Sequence, residues 1–106
     1  MVVGGSTGIG AGVCRLFAVE GADVVVADQS HDDNVEKLVN EIKELGREAI
    51  FVELDVTKSD QMQTAVEKAI VEFGTIDIMV NNAGVGSSMV PFHKESWKDW
   101  DRIISV

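Results

Sequence analysis

The glycine-rich segment Gly4–Gly10 is the part of the sequence whose residue types and spacing most directly indicate chemistry. It reads Gly-Gly-Ser-Thr-Gly-Ile-Gly and lies between a short valine run and a helix-like stretch. Glycines allow a tight turn and the close approach of a ligand, and the N-terminus of the next helix offers unpaired N–H groups and a partial positive charge. The hydroxyls of Ser6 and Thr7 can add donors. The segment therefore predicts a pyrophosphate site, with a glycine-rich turn that binds no ligand as the alternative.

A second chemical signal is Asp28, which follows a valine-rich run eighteen residues after Gly10. In a nucleotide-binding βαβ unit, a carboxylate at the end of the second strand can accept hydrogen bonds from the hydroxyls of an adenosine ribose. The same carboxylate would repel the extra phosphate of NADP. The next residue, Gln29, is not a base that could pair with that phosphate. Asp28 therefore predicts a preference for NAD over NADP, unless it is a solvated loop residue that caps the next helix.

Two further polar motifs, Asp55-Val56 and Asn81–Gly84, also follow predicted strands. The second of them reads Asn-Asn-Ala-Gly. Ligands of open α/β sheets bind outside the carboxyl ends of the strands. Because the glycine-rich segment, Asp28 and these two motifs all occupy such ends, we expect them to meet at one edge of the sheet.

The segments that must position these motifs alternate β-branched runs with amphipathic stretches, which is typical of a parallel sheet covered by helices. Strands are predicted over Met1–Val3, Ala22–Asp28, Ala49–Leu54 and Ile76–Val80. Helices are predicted over Ile9–Glu20 and Asp32–Leu45, then from a cap at Thr57 or Ser59 to Gly74, and finally after a cap at Ser96. Right-handed crossovers put the first strand in the middle. The expected fold is α/β, a Rossmann-type three-layer α/β/α unit with a parallel sheet of about four strands in the order 3-2-1-4.

Composition narrows the class of protein and its partners. A chain of 106 residues with 45% hydrophobic and 25% charged residues indicates one globular domain. The net charge of −9, with its few basic residues scattered, argues against nucleic acid and membrane surfaces as partners. Cys14 is the only cysteine, so no intrachain disulfide can form, and its place beside the apolar stripe of a helix indicates packing. With no signal-peptide pattern and no apolar run of about 20 residues, we expect a cytoplasmic protein.

Taken together, the motifs resemble those of the N-terminal part of the short-chain dehydrogenase/reductase family. The resemblance covers essentially the whole chain and rests on Gly4–Gly10, Asp28, Asp55-Val56, Asn81–Gly84 and the Trp-Asp-Arg-Ile-Ile helix Trp100–Ile104. The glycine motif of that family usually follows a threonine, whereas Val3 stands there in this chain, which removes one side-chain hydrogen bond.

The resemblance implies NAD as the cofactor and a role for each matching residue. Those implied to line the pyrophosphate and the adenosine-ribose side are Gly4, Ser6, Thr7, Gly8 and Ile9. Asp28 would hold the ribose, while Asp55 would hydrogen-bond the adenine amino group with Val56 beside it. The backbone of Asn82, Ala83 and Gly84 would pass the ribose. Asn81 would tie the fourth strand to its neighbours.

The chain contains no tyrosine, which decides what the resemblance implies about catalysis. Members of the family use an asparagine, a serine and a Tyr-x-x-x-Lys motif, in which the tyrosine transfers a proton at the substrate oxygen while a hydride moves to or from the nicotinamide. No other residue is a convincing substitute, so no catalytic residue is predicted. His31 and His93 are interpreted as exposed polar residues, and no spacing of His, Cys, Asp and Glu suggests a metal site.

Two functions remain open for the chain. The first is the cofactor-binding part of an NAD-dependent oxidoreductase that interconverts an alcohol and a carbonyl, with residues 1–106 as a partial Rossmann domain truncated at both ends. The second is a catalytically inactive, truncated NAD-binding module, and a poorly folding remnant is a third possibility. A full-length protein would bind a small alcohol or carbonyl and could form homo-oligomers. The loop residues Ser87, Ser88, Met89 and Pro91 could border its substrate pocket, although loop composition explains them equally well.

Overall fold

The described part of the chain, residues 1–87 and 89–106 of a computed structural model, contains a single four-stranded sheet. Ser88, one of the loop residues named above that could border a substrate pocket, lies outside the described residues. The strands are β1 (Val2–Val3), β2 (Val24–Asp28), β3 (Ala49–Glu53) and β4 (Val80–Asn81). All their pairings are parallel and their order is β3-β2-β1-β4. The predicted sheet order is therefore confirmed.

Helices follow the strands in the predicted alternation. They are α1 (Gly8–Val19), α2 (Asp33–Glu44), α3 (Ser59–Phe73) and α4 (Trp97–Ser105), with a short 3-10 helix at Phe92–Lys94. Asp32 caps α2 by accepting hydrogen bonds from the amides of the second and third residues that follow it, and Ser96 caps α4 through Asp99 N at 3.1 Å. The predicted stop at Gly74 is confirmed, since its φ of 80° is left-handed and ends α3. Every helix among the described residues is too short or too polar to span a lipid bilayer.

The start of α3 differs from the prediction that Thr57 or Ser59 caps it. Lys58 occupies the N-cap position and makes no side-chain cap hydrogen bond, and Ser59 is already the first helical residue. The Thr57 hydroxyl instead donates to Asp55 Oδ1 at 2.7 Å. A carboxylate two residues earlier thus engages the hydroxyl that was expected to cap the helix.

Strand β4 is shorter and later than the predicted Ile76–Val80. Its ladder pairs Val2 with Val80 and Val3 with Asn81. Among residues 76–79, Ile78 O accepts a hydrogen bond from the Met1 amine at 2.9 Å. A strand extends only as far as its neighbour can pair with it. Because the neighbouring strand begins at Val2, residues 76–79 have no ladder partner in it.

The core consists of two apolar layers, one on each face of the sheet. Side chains of a strand alternate between faces. Val24 and Val26 accordingly pack with α1 and α2, whereas Val25 and Ala27 pack with α3. The resulting three-layer α/β/α architecture is the predicted one, and it brings the carboxyl ends of all four strands to one edge.

Candidate functional site

A cleft of about 360 Å³ opens at the carboxyl edge of the sheet. Nine of the eleven residues predicted to bind the cofactor line it: Gly4, Thr7, Gly8, Ile9, Asp28, Val56, Asn82, Ala83 and Gly84. The other two do not line it: the Ser6 side chain bonds to Asp28, and the Asp55 side chain bonds to Thr57. Sequence reasoning missed five lining residues, namely Val3, Gln29, Leu54, Val85 and Val106. Their residue types do not point to a binding role. Each of the first four adjoins a predicted site residue in the sequence, and only this adjacency could have suggested that they line the cleft.

The glycine-rich loop is attached to the end of β2 through its backbone. Gly4 N and Gly5 N both donate to Ala27 O, at 2.8 and 3.2 Å. Gly4 has a φ of 71°, and a Cβ built on it would lie 2.7 Å from the backbone of Ala83. Glycine is therefore required at this position both for its backbone conformation and for the close approach of the segment after β4.

Asn82 connects the segment after β4 to the same loop. Its Nδ2 donates to Gly4 O at 2.8 Å, across 78 positions of sequence. The resemblance implies a backbone role for Asn82 and assigns the structural tie to Asn81. In the structure Asn81 pairs with Val3 as part of β4, and the side-chain bond to the loop comes from Asn82.

The N-terminus of α1 is open towards the cleft. Its N-cap residue, Thr7, makes no side-chain cap hydrogen bond, and the first turn contains no acidic residue. The first amide of the helix to donate within it is Ala11 N, to Thr7 O at 3.1 Å. A Cβ on Gly8 would meet no atom within 4 Å, so open space lies beside this turn. Helix N-termini with unpaired amides and no neutralising carboxylate bind anions, so the cleft fits the pyrophosphate of a dinucleotide.

Asp28 lies at the end of β2 and lines the same cleft. Its Oδ2 accepts hydrogen bonds from Ser6 N at 3.0 Å and from Ser6 Oγ at 2.5 Å, while Oδ1 accepts from Gln29 N at 2.8 Å. The cap of α2 is Asp32, so the alternative that Asp28 caps that helix is wrong. The Ser6 hydroxyl, expected on the pyrophosphate side, is directed at Asp28.

The Asp55 carboxylate turns towards the start of α3. Its Oδ1 accepts from Thr57 Oγ1 at 2.7 Å and from Thr57 N at 2.9 Å. These hydrogen bonds hold the pKa of Asp55 below its usual value. The carboxylate is therefore an ionised acceptor at neutral pH, positioned next to Val56, which does line the cleft.

The two histidines and the cysteine lie outside the lining of the cleft. His31 stacks on Phe51 with ring centroids 4.8 Å apart, and His93 is exposed in the 3-10 helix. Cys14 is fully buried below the glycine-rich loop, and desolvation raises the pKa of its thiol to about 11. The thiol is consequently protonated at neutral pH and is packed in the core, as predicted, where it donates a hydrogen bond to Gly5 O at 3.7 Å.

The sheet order, the glycine turn before α1 and the acidic residue that ends β2 define the class of this protein. A parallel sheet whose central strand leads into such a turn is a Rossmann-type nucleotide-binding unit. Comparison with known proteins identifies the family. A family model described as short chain dehydrogenase matches residues 1–106, and the chain belongs to that family, whose members use nicotinamide dinucleotides.

Individual relatives agree with this membership. The chain is 42% identical over 109 residues to the uncharacterized oxidoreductase YuxG of Bacillus subtilis and covers 15% of that protein. It is 37% identical over 106 residues to glucose 1-dehydrogenase 2 of the same organism and covers 41% of it. A solved short-chain dehydrogenase/reductase from Serratia marcescens superposes with a TM-score of 0.92 at 33% identity, over 99% of this chain and 42% of that one. All or nearly all of this chain is matched in each comparison, but the chain spans less than half the length of each of these relatives.

Proposed function

We propose that this chain forms the cofactor-binding part of an NAD-dependent oxidoreductase that interconverts an alcohol and a carbonyl. The observation that carries the proposal is the joint position of the open α1 N-terminus and Asp28 in one cleft. The first fits a pyrophosphate and the second fits a ribose, which are adjacent parts of one dinucleotide. The relatives named above, an oxidoreductase and a glucose 1-dehydrogenase, support the class of reaction.

In this proposal, residues in and beside the cleft would each bind a different part of NAD. Backbone amides of the glycine-rich segment and the start of α1 would bind the pyrophosphate, and Asp28 would accept from the adenosine ribose. Val56 would contact the adenine, with the ionised Asp55 as acceptor for its amino group. The backbone of Asn82–Gly84 would border the ribose. Bound NAD supplies a hydride acceptor at its nicotinamide ring.

The charges at the cleft support the proposed choice of NAD over NADP. The described lining residues include Asp28 and the neutral Gln29 but no lysine or arginine. A 2′-phosphate would thus meet a carboxylate without a cation to compensate for the repulsion. In a whole protein we place residues 1–106 in a partial Rossmann domain, with a small alcohol or carbonyl as substrate, a possible homo-oligomeric assembly and a cytoplasmic location.

Cofactor titrations of the purified chain test this proposal. We expect NAD to bind more tightly than NADP, and Asp28→Ala to weaken NAD binding roughly ten- to a hundredfold, the effect of about 1.5–3 kcal/mol for a hydrogen bond to a charged group. The difference between the two cofactors should narrow in that variant. Asp60→Ala, a change of the same type in the first turn of α3, is the matched control and should leave both affinities unchanged. Equal affinities for NAD and NADP in the unmutated chain would refute the preference.

A second candidate function is an NAD-binding module without catalytic activity. Within residues 1–106 no tyrosine is present to perform the proton transfer of the family, so this segment by itself fits the second function as well as the first. Both candidates predict the same cofactor binding by residues 1–106, so turnover of a whole protein that contains these residues distinguishes them.

A further inference from the structure

We propose that Ser6 is a positioning residue that influences the choice between NAD and NADP. It acts by holding the Asp28 carboxylate and not by binding the pyrophosphate. This inference rests on the proposed function and deepens it. Ser6 places both its amide and its hydroxyl on the same oxygen, Oδ2, of the Asp28 carboxylate.

The hydrogen bonds of Asp28 leave one orientation of the carboxylate favoured. An ionised carboxylate has about four lone-pair sites on its two oxygens. Ser6 fills two of them on Oδ2, and Gln29 N fills one on Oδ1 at 2.8 Å. The remaining site is on Oδ1, so this oxygen is the acceptor left for a ribose hydroxyl.

The same bonds restrain the carboxylate against movement away from the cleft. A 2′-phosphate could be accommodated more easily if Asp28 rotated aside, but rotation would break the bond to Ser6 Oγ, which is 2.5 Å long. Hydrogen bonds from a hydroxyl to a carboxylate at such distances are among the stronger ones in proteins. Ser6 therefore strengthens both the acceptance of the ribose of NAD and the repulsion of the phosphate of NADP.

The loop itself does not depend on the Ser6 hydroxyl. Gly4 N and Gly5 N attach the loop to Ala27 O, and Asn82 Nδ2 holds Gly4 O from the other side. Removal of the hydroxyl should therefore free the Asp28 carboxylate and leave the anion-binding turn in place. The effect is expected on the discrimination between cofactors, not on dinucleotide binding in general.

The test measures dissociation constants of NAD and NADP for the purified chain and its variants. We expect Ser6→Ala to lower the ratio of NADP to NAD dissociation constants roughly five- to tenfold, less than Asp28→Ala does. Ser6→Thr keeps a hydroxyl and should retain most of the ratio. In the Asp28→Ala background, Ser6→Ala should leave the ratio unchanged, because Ser6 then has no carboxylate to position. Ser59→Ala, at the exposed start of α3, is the control.

Two other outcomes would contradict the role of Ser6 or the proposed function. If Ser6→Ala weakens both cofactors equally, the hydroxyl serves the pyrophosphate or the fold, and the inference is wrong while the proposed function stands. If the unmutated chain binds neither cofactor, the proposed function itself fails and the inference with it. Circular dichroism checks folding, and should Ser6→Ala unfold, Ser6→Gly removes the same hydroxyl with a residue suited to this loop.

Discussion

Gly10 has less room for a side chain than any other glycine of the glycine-rich loop. A Cβ there would lie 2.0 Å from Gly4 O and 2.8 Å from Asn82 Nδ2, two atoms that are bonded to each other. Neither can retreat without breaking that bond. The close contact between the start of α1 and the loop therefore depends on a hydrogen atom at this position.

We expect Gly10→Ala to lower the free energy of unfolding by about 1–3 kcal/mol, as overpacking of a well-packed site does. Gly12→Ala is the matched control on the same helix, where a Cβ would meet nothing within 4 Å. It should stabilise the chain by about 0.5–1 kcal/mol, because alanine has less backbone entropy to lose. Urea denaturation measures both variants. Equal stabilities of the two would show that the contact is not as close as described.

Among the elements, β2 and β3 are joined at their starts by an ion pair. Arg47 Nη2 lies 2.6 Å from Asp23 Oδ1, which also accepts from Glu48 N at 3.0 Å. The hydrogen bond from Glu48, assisted by Arg47, lowers the pKa of Asp23. A carboxyl with a depressed pKa in the folded state stabilises the protein above its unfolded pKa, about 4 for Asp, and this contribution is lost as the pH falls through the folded value.

Asp23→Asn should therefore reduce the free energy of unfolding at neutral pH, and the difference from the unmutated chain should shrink as the pH falls below about 4. Denaturation at a series of pH values checks this. Asp101→Asn, an exposed aspartate of α4, serves as the control for the change in net charge. A difference that stays constant across the acid range would mean that the pairing does not depend on ionisation.

For the whole molecule, the residues just before β4, the strand at the end of the sheet, expose apolar side chains. Ile78 is 55% exposed and Met79 is 41% exposed. Strand edges with exposed apolar side chains tend to pair with other chains. We expect the 106-residue chain to self-associate in spite of its net charge of −9.

Sedimentation velocity over a range of concentrations measures this association. Met79→Lys should shift the distribution towards monomer, because a charge at the edge disfavours pairing. Leu45→Lys, at a position that is 51% exposed at the end of α2 and away from the sheet edge, should not. A monomer at every concentration would contradict the prediction.

Cofactor binding should also stabilise the molecule as a whole. A ligand that binds only the folded state adds about 2.7 kcal/mol at a concentration one hundred times its dissociation constant. We expect the melting temperature to rise with NAD, to rise less with NADP, and to respond weakly in Asp28→Ala. A melting temperature indifferent to NAD would indicate that the cleft does not bind it.

Turnover is the last property of the whole molecule with a definite expectation. Because no tyrosine is present, the purified chain should oxidise no alcohol at the expense of NAD. The measurement is NADH formation with a panel of alcohols against a blank without protein. Steady formation above the blank would exclude the inactive module and require another proton-transfer residue.

The sequence by itself determined the order of the elements and the place of the site. β-Branched runs identified the strands and the helical period identified the helices. Gly74 marked the end of α3, and the polar motifs after each strand were assigned to one edge. These features depend on neighbouring residues and on the handedness of crossovers, both of which can be inferred from sequence. The predicted sheet order and nine of eleven residues around one cleft follow from that local information.

Only the tertiary structure decided which side chains meet. The length of β4 depends on where β1 begins, Asn82 reaches a carbonyl 78 positions away, and Ser6 bonds to Asp28 across 22 positions. Pattern and residue type reveal that a hydroxyl or an amide can bond, but several partners lie within reach until the chain is packed. Distances of 2.5–2.8 Å between such remote atoms result from the close packing of β1 against β2 and β4, which no local pattern encodes.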